Sequence, residues 1–142
     1  MDKLSFIDRV TEKFKKNSWR LTAGTRNLIE ILGESKFPLS IRDLCDFLAK
    51  QEHALDQATV YRLVEKLKSQ DLVAEINHKF IACSEPKSPT ERRHFLVSEK
   101  TGRAEEIFLD YHEAISKQLA KERGFLLRKT DLTFYGTFGD EM

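Results

Sequence analysis

The architecture of the chain turns on LDQATVYRLVEKLKSQDL, residues Leu55 to Leu72. Asp56 is a good N-cap, because its carboxylate can accept the unpaired amide protons of a first helical turn. After it, Val60, Leu63, Val64 and Leu67 fall at i, i+3, i+4 and i+7, one apolar stripe of an amphipathic helix. The opposite face carries Ala58, Tyr61, Arg62, Glu65 and Ser69, flanked by Lys66 and Lys68. A phenol, a guanidinium and small residues near a helix N-terminus suit a helix lying in a DNA major groove, where they reach base edges and phosphates. An ordinary surface helix packed by its Val/Leu stripe shares the same pattern, so the flanking chain has to decide.

Upstream, Phe6, Val10 and Phe14 recur at i, i+4 and i+8 in a first helix from Leu4 to Lys16, with Lys13, Lys15 and Lys16 complementing the dipole at its end. Trp19-Arg20-Leu21 is a short link, with Arg20 just outside the next helix and able to enter a minor groove. Thr22 caps a second helix to about Gly33. Ser40, followed three residues later by Asp43, resembles a capping box and opens a third helix to Lys50; Cys45 belongs on its buried or half-buried side.

Beyond Leu72 the period changes. Val73–Ile76, a polar Asn77-His78 turn and Lys79–Cys83 read as a two-stranded hairpin. Helices followed at once by a hairpin give the order of a winged helix-turn-helix, whose last helix enters the major groove with the hairpin beside it. SEPKSPT, Ser84 to Thr90, is a Pro/Ser/Lys linker. Past it, His94–Val97 and Arg103–Ile107 predict two strands. Phe108–Arg123 predicts a helix with Phe108, Tyr111, Ile115 and Leu119 on one side, and Gly124 follows it. Phe125–Tyr135 predicts a return to strand. The expected class is α+β: a winged-helix domain over 1–84, a linker over 85–90 and a small ββαβ domain over 91–142. A domain of that size is marginal alone, which favours a dimer.

Composition narrows the function. Apolar residues make up 40% and charged residues 33%, as in a soluble globular protein. The net charge of +1 carries no argument, and 14 basic against 12 acidic residues through Ser84 gives only a slight local excess. Two cysteines, Cys45 and Cys83, exclude a framework of several disulfides and an all-cysteine zinc site within one chain. No apolar run reaches the length of a membrane span and the N-terminus has no signal-peptide core, so a cytoplasmic protein is expected. There is no nucleophile motif, phosphate-cradling glycine loop or complete metal set, so an enzyme is not expected.

LDQATVYRLVEKLKSQDLV, RLTAGTRNLIEIL and LAKERGFLLRKTDLTFYG, in that order, resemble the ferric uptake regulator family of metal-dependent repressors, near its zinc-sensing branch. The likeness runs from Trp19 to Tyr135. It implies a homodimeric transcription regulator, a repressor in most members, on an A/T-rich and roughly palindromic double-stranded operator. It implies that Tyr61 and Arg62 contact bases and phosphates and that Arg20 reaches the minor groove. With the helix face described above, the DNA-binding set is Arg20, Thr22, Gln57, Ala58, Thr59, Tyr61, Arg62 and Lys66.

The chain departs from the family at its metal sites. Val97 and Thr101 stand where the family carries a cysteine pair, and nothing after Cys83 is a cysteine. Cys83, His94 and Glu106 match ligand positions and leave a three-residue remnant, with Glu91 or His112 as further donors, that could take zinc or another divalent metal. Arg92 and Arg93, however, replace ligands, and two guanidiniums repel a dication at close range. The expectation is therefore no resident metal. Arg92 or Arg93 would instead supply the charge by pairing with Glu106, Glu105 or Glu91 across the domain junction. A protein-interaction module that kept the fold and lost DNA affinity is the alternative function.

Overall fold

The computed structural model describes residues 2–142, and the chain divides after Ser84 into two units. The first holds α1 (Lys3–Lys16), α2 (Ala23–Glu34), α3 (Ile41–Lys50), α4 (Gln57–Ser69), β1 (Val73–Ile76) and β2 (Lys79–Ala82). The second holds β3 (Arg92–Ser98), β4 (Ala104–Leu109), α5 (His112–Arg123), β5 (Thr133–Gly136) and a closing 3-10 turn, Gly139–Glu141. The class is α+β.

Each helix of the first unit starts at a side chain that accepts a first-turn amide: Asp2, Thr22, Ser40 and Asp56. Ser40 and Asp43 form a reciprocal capping box, each side chain accepting the other's amide at 3.0 Å. At their C-termini, α1, α3 and α4 turn through Ser18, Glu52 and Asp71, which hold φ of 55°, 61° and 58°. The next residue in each case (Trp19, His53, Leu72) returns its amide to a carbonyl five positions back, at 2.8 to 3.0 Å. These are Schellman closures built without the usual glycine.

Between these caps the apolar stripes converge. Leu28, Leu44, Leu48, Val60 and Val64 are wholly buried, with Phe6, Val10 and Phe14 of α1 and Leu72 completing the same core. Each such side chain contributes about 1.5–3 kcal/mol by leaving water. β1 and β2 pair antiparallel from Val73–Ala82 to Ile76–Lys79 around the Asn77-His78 turn. Both turn residues have positive φ, as a two-residue hairpin loop demands. Leu39 adds an isolated bridge, exchanging both backbone hydrogen bonds with Phe80 at 2.8 Å. It makes the hairpin a partly three-stranded sheet, a feature that a single residue between two helices does not announce.

In the second unit the strand order is β4-β3-β5, with β4 antiparallel and β5 parallel to β3. Two expectations need correction. Phe108, expected on the helix, pairs with Arg93 in β4, and the helix starts only at His112. The spacing of Phe108, Tyr111 and Ile115 suits a helix, but the ladder to β3 takes the backbone first. The segment from Phe125 to Tyr135 is also not one strand: regular pairing begins at Thr133. The Leu132 amide is instead donated to the His94 ring, at 3.1 Å from Nδ1.

Candidate nucleic-acid interface

α4 buries Val60, Val64 and Leu67, with Leu63 partly covered, and so turns its other face outward. Gln57, Ala58, Tyr61, Arg62 and Lys66 are exposed on that side, and Thr59 is half-buried. Tyr61 leaves 53% of its surface in solvent. Arg62 donates Nη2 to the Thr59 hydroxyl at 3.3 Å, which folds its guanidinium back over the first turn. Asp56 Oδ1 accepts the Thr59 amide at 2.7 Å. Hydrogen bonding by the Thr59 side chain and amide holds the Asp56 carboxyl below its usual range. Lys68, on the flank, is drawn to Glu75 of β1 at 2.8 Å.

The residues leading to α2 frame the same helix. Arg20 is exposed and makes no hydrogen bond or ion pair among the described residues. The Thr22 hydroxyl is committed to its cap, accepting the Thr25 amide at 3.2 Å and lying 2.9 Å from the Thr25 hydroxyl. Gly24 lets this end of α2 approach Leu55, where an added Cβ would stand 3.1 Å from Leu55 Cδ2. Trp19, in the link between α1 and α2, meets the Phe14 ring in a T-shaped contact with centroids 5.4 Å apart. The Lys66 ammonium lies over that indole, 5.2 Å from the centroid. The available signal was Trp19 five residues after Phe14, the spacing of the hydrophobic contact that accompanies a Schellman closure.

The candidate metal residues are arranged differently. Cys83 is fully buried at the end of the hairpin, with Sγ 3.8 Å from the Ile81 carbonyl. In the second unit His94 opposes Ile107 while Phe95 opposes Glu106, so His94 and Glu106 point to opposite faces of the sheet. His94 is 1% exposed and uses both ring nitrogens. Nδ1 accepts the Leu132 amide, so in the neutral ring the proton is on Nε2, which lies 2.6 Å from the Tyr111 hydroxyl. Burial lowers its pKa from the ordinary histidine value.

Glu106 is engaged by Arg93, whose Nε donates to Oε2 at 2.8 Å, with the two side chains only 10% and 14% exposed. The pair joins β3 to β4 inside the second unit. Arg92 turns instead to the carbonyls of Pro89 and Glu91, at 3.1 and 3.4 Å. Among the described residues no three His, Cys, Asp or Glu side chains stand together as metal donors. The donor chemistry of His94 and Glu106 does not fit a shared ion, since one faces away from the other and both are already satisfied.

Comparison with known proteins gives a consistent picture. The family model described as "Ferric uptake regulator family" matches residues 16–135. The zinc uptake regulation protein of Escherichia coli (strain K12) is 26% identical over 119 residues, covering 82% of this chain and 70% of the relative. The ferric uptake regulation protein of Rhizobium leguminosarum bv. viciae is 26% identical over 117 residues, covering 82% of each. Among solved structures, a zinc uptake regulator complexed with zinc and DNA aligns with a TM-score of 0.80 at 21% identity, over 99% of this chain and 95% of that one. The Helicobacter pylori ferric uptake regulator aligns at 0.64 and 14% identity, over 99% and 93%. At these identities the structural matches establish the fold. No described helix is long and apolar enough to cross a membrane.

Proposed function

The chain belongs to the ferric uptake regulator family, whose members are transcription regulators and not enzymes, and from that premise we propose a DNA-binding regulator that works as a homodimer. The observation that carries the reading is the division of α4: its apolar stripe is spent on the core, while Gln57, Ala58, Tyr61, Arg62 and Lys66 face outward together. In this reading the helix lies in the major groove of an A/T-rich, roughly palindromic operator, and the protein is a cytoplasmic repressor. Tyr61 and Gln57 read base edges, Ala58 and Thr59 allow close approach, and Arg62 and Lys66 grip phosphates. Arg20 reaches the minor groove, and Thr22 caps the start of α2, two residues after it.

Support for the homodimer comes from the second unit taken by itself. Its edge strand β5 exposes Phe134 and Tyr135, Phe125 and Leu126 are also exposed, and α5 buries no residue at all. A 58-residue unit with so much apolar surface in solvent gains its missing burial from a second copy.

Regulation departs from the metal-bound relatives. The Arg93–Glu106 pair places a permanent positive charge against the carboxylate that would otherwise be a hard-cation ligand. DNA binding therefore persists without zinc or another divalent metal, and any control acts through some other input. Selection of bound duplexes from a random pool, with and without a strong chelator, tests the whole reading. The expected result is enrichment of a two-fold-symmetric A/T-rich site in both arms. Enrichment in neither arm would leave a protein-interaction module as the better description.

A further inference from the structure

The geometry around Lys66 points to a residue that the DNA-binding reading did not include. We propose that Trp19 is a positioning residue of the interface: its indole holds the Lys66 ammonium at the edge of α4 before DNA arrives, and couples that helix to the link carrying Arg20. The proposal rests on the reading of α4 as the DNA-facing helix.

Trp19 is the one tryptophan of the chain, and three contacts fix it. Its amide closes α1 through the Phe14 carbonyl at 2.8 Å. Its ring meets the Phe14 ring edge-on, with an interplanar angle of 84°, and Phe14 is itself part of the core at 2% exposure. A face of the ring receives Lys66, which has no carboxylate partner among the described residues. An ammonium over an aromatic face is attracted by the ring quadrupole while staying hydrated on its other side. The lysine is thus held without being neutralised. A flexible cation parked near its destination loses less freedom when it meets a phosphate than one sweeping through solvent. Because Arg20 follows Trp19 directly, the same anchored indole sets where the backbone of that arginine leaves α1.

The test uses the full chain and a labelled duplex that it binds, with Trp19→Leu, Trp19→Phe, Lys66→Met and the Trp19→Leu/Lys66→Met double variant. In the free protein, Lys66→Met should shift the emission of the lone indole. On DNA, Trp19→Leu should weaken binding about two- to fivefold and Trp19→Phe, which keeps a ring face, should weaken it less. With Met at position 66, Trp19→Leu should cost no more than its effect through Arg20, so the two substitutions should be clearly sub-additive. Should Trp19→Leu fail to fold, the emission shift and the Phe variant still decide. Unchanged emission in Lys66→Met, or full additivity of the two losses, overturns the proposal while leaving DNA binding intact. A wild-type chain that binds no duplex at all defeats both the proposal and the reading beneath it.

Discussion

Arg93 donates its Nε proton to Glu106 at 2.8 Å, and the same guanidinium lies 5.6 Å from the centre of the Phe108 ring. All three side chains share one face of the β3–β4 ladder, because Arg93 opposes Phe108 and Phe95 opposes Glu106. A planar cation held between a carboxylate and a ring is a fixed structural charge; unlike a metal ion, it cannot dissociate.

That arrangement predicts a measurable coupling. Arg93→Met and Glu106→Gln should each destabilise the second unit, since each removes one side of a largely buried charge-assisted hydrogen bond. The double substitution should recover part of the loss, with a coupling energy of about 1–3 kcal/mol. Urea unfolding of the four proteins measures it. Strict additivity would mean that the pair does not act as a unit.

On the outer face of α4, Arg62→Ala should weaken binding to all duplexes alike and lower the slope of log affinity against log salt by about one. Tyr61→Phe keeps the ring and removes the hydroxyl, so it should change the ranking of operators more than the general affinity. Filter or anisotropy titrations at several salt concentrations distinguish the two. Full retention of affinity in both variants would remove α4 from the groove.

The Schellman closure after α3 predicts a stabilising substitution. Glu52 is exposed and sits at φ 61°, a conformation that crowds its Cβ. Glu52→Gly relieves that crowding, partly offset by a more flexible unfolded chain, for a net gain of about 0.5–1 kcal/mol. Thermal unfolding without DNA checks the sign, and a lower melting temperature would contradict the backbone argument.

Acid should loosen the end of the second unit first. Glu141 accepts from the Ser98 and Thr101 hydroxyls at 2.6 Å each, and Asp140 takes both Arg103 terminal nitrogens at 2.9 Å. Lys100 donates to the Glu141 carbonyl, and Glu105 is the other carboxylate near Arg103, at 4.0 Å. The Ser98 hydroxyl bond lowers the Glu141 pKa, and the Arg103 side-chain bond lowers that of Asp140. Carboxyls with folded values below their unfolded ones stabilise the fold above the unfolded pKa. That contribution is lost as pH falls from the ordinary carboxylate range through the folded values. Glu141→Gln should therefore flatten the acid limb of the stability curve, read by amide exchange at Lys100 and Thr101. An unchanged acid limb would show that the clasp contributes nothing.

How much of this was legible in the chain differs between the two units. In the first, Val60, Val64 and Leu67 repeat at helical spacing and are buried, and Thr22, Ser40 and Asp56 cap because each carries a side-chain oxygen that accepts a first-turn amide. Local chemistry there agrees with the tertiary fold. In the second unit Phe108 fits a helical stripe and a strand equally well, and only its pairing with Arg93 decides. Glu106, Glu105 and Glu91 were equally good partners for Arg92 or Arg93 in the sequence; the β3–β4 register selects Arg93 and Glu106. His94 and Glu106 match ligand positions along the chain, yet strand alternation sends them to opposite faces. Trp19 and Lys66 lie 47 residues apart, and no periodicity links an interhelix turn to a helix face. Such contacts exist only once α1 and α4 share a core.

The most direct measurement combines metal analysis of the purified protein with its affinity for the selected operator, in buffer and in a strong chelator. The expected result is less than stoichiometric metal and salt-dependent binding that the chelator leaves unchanged. Stoichiometric metal together with binding abolished by the chelator would contradict it.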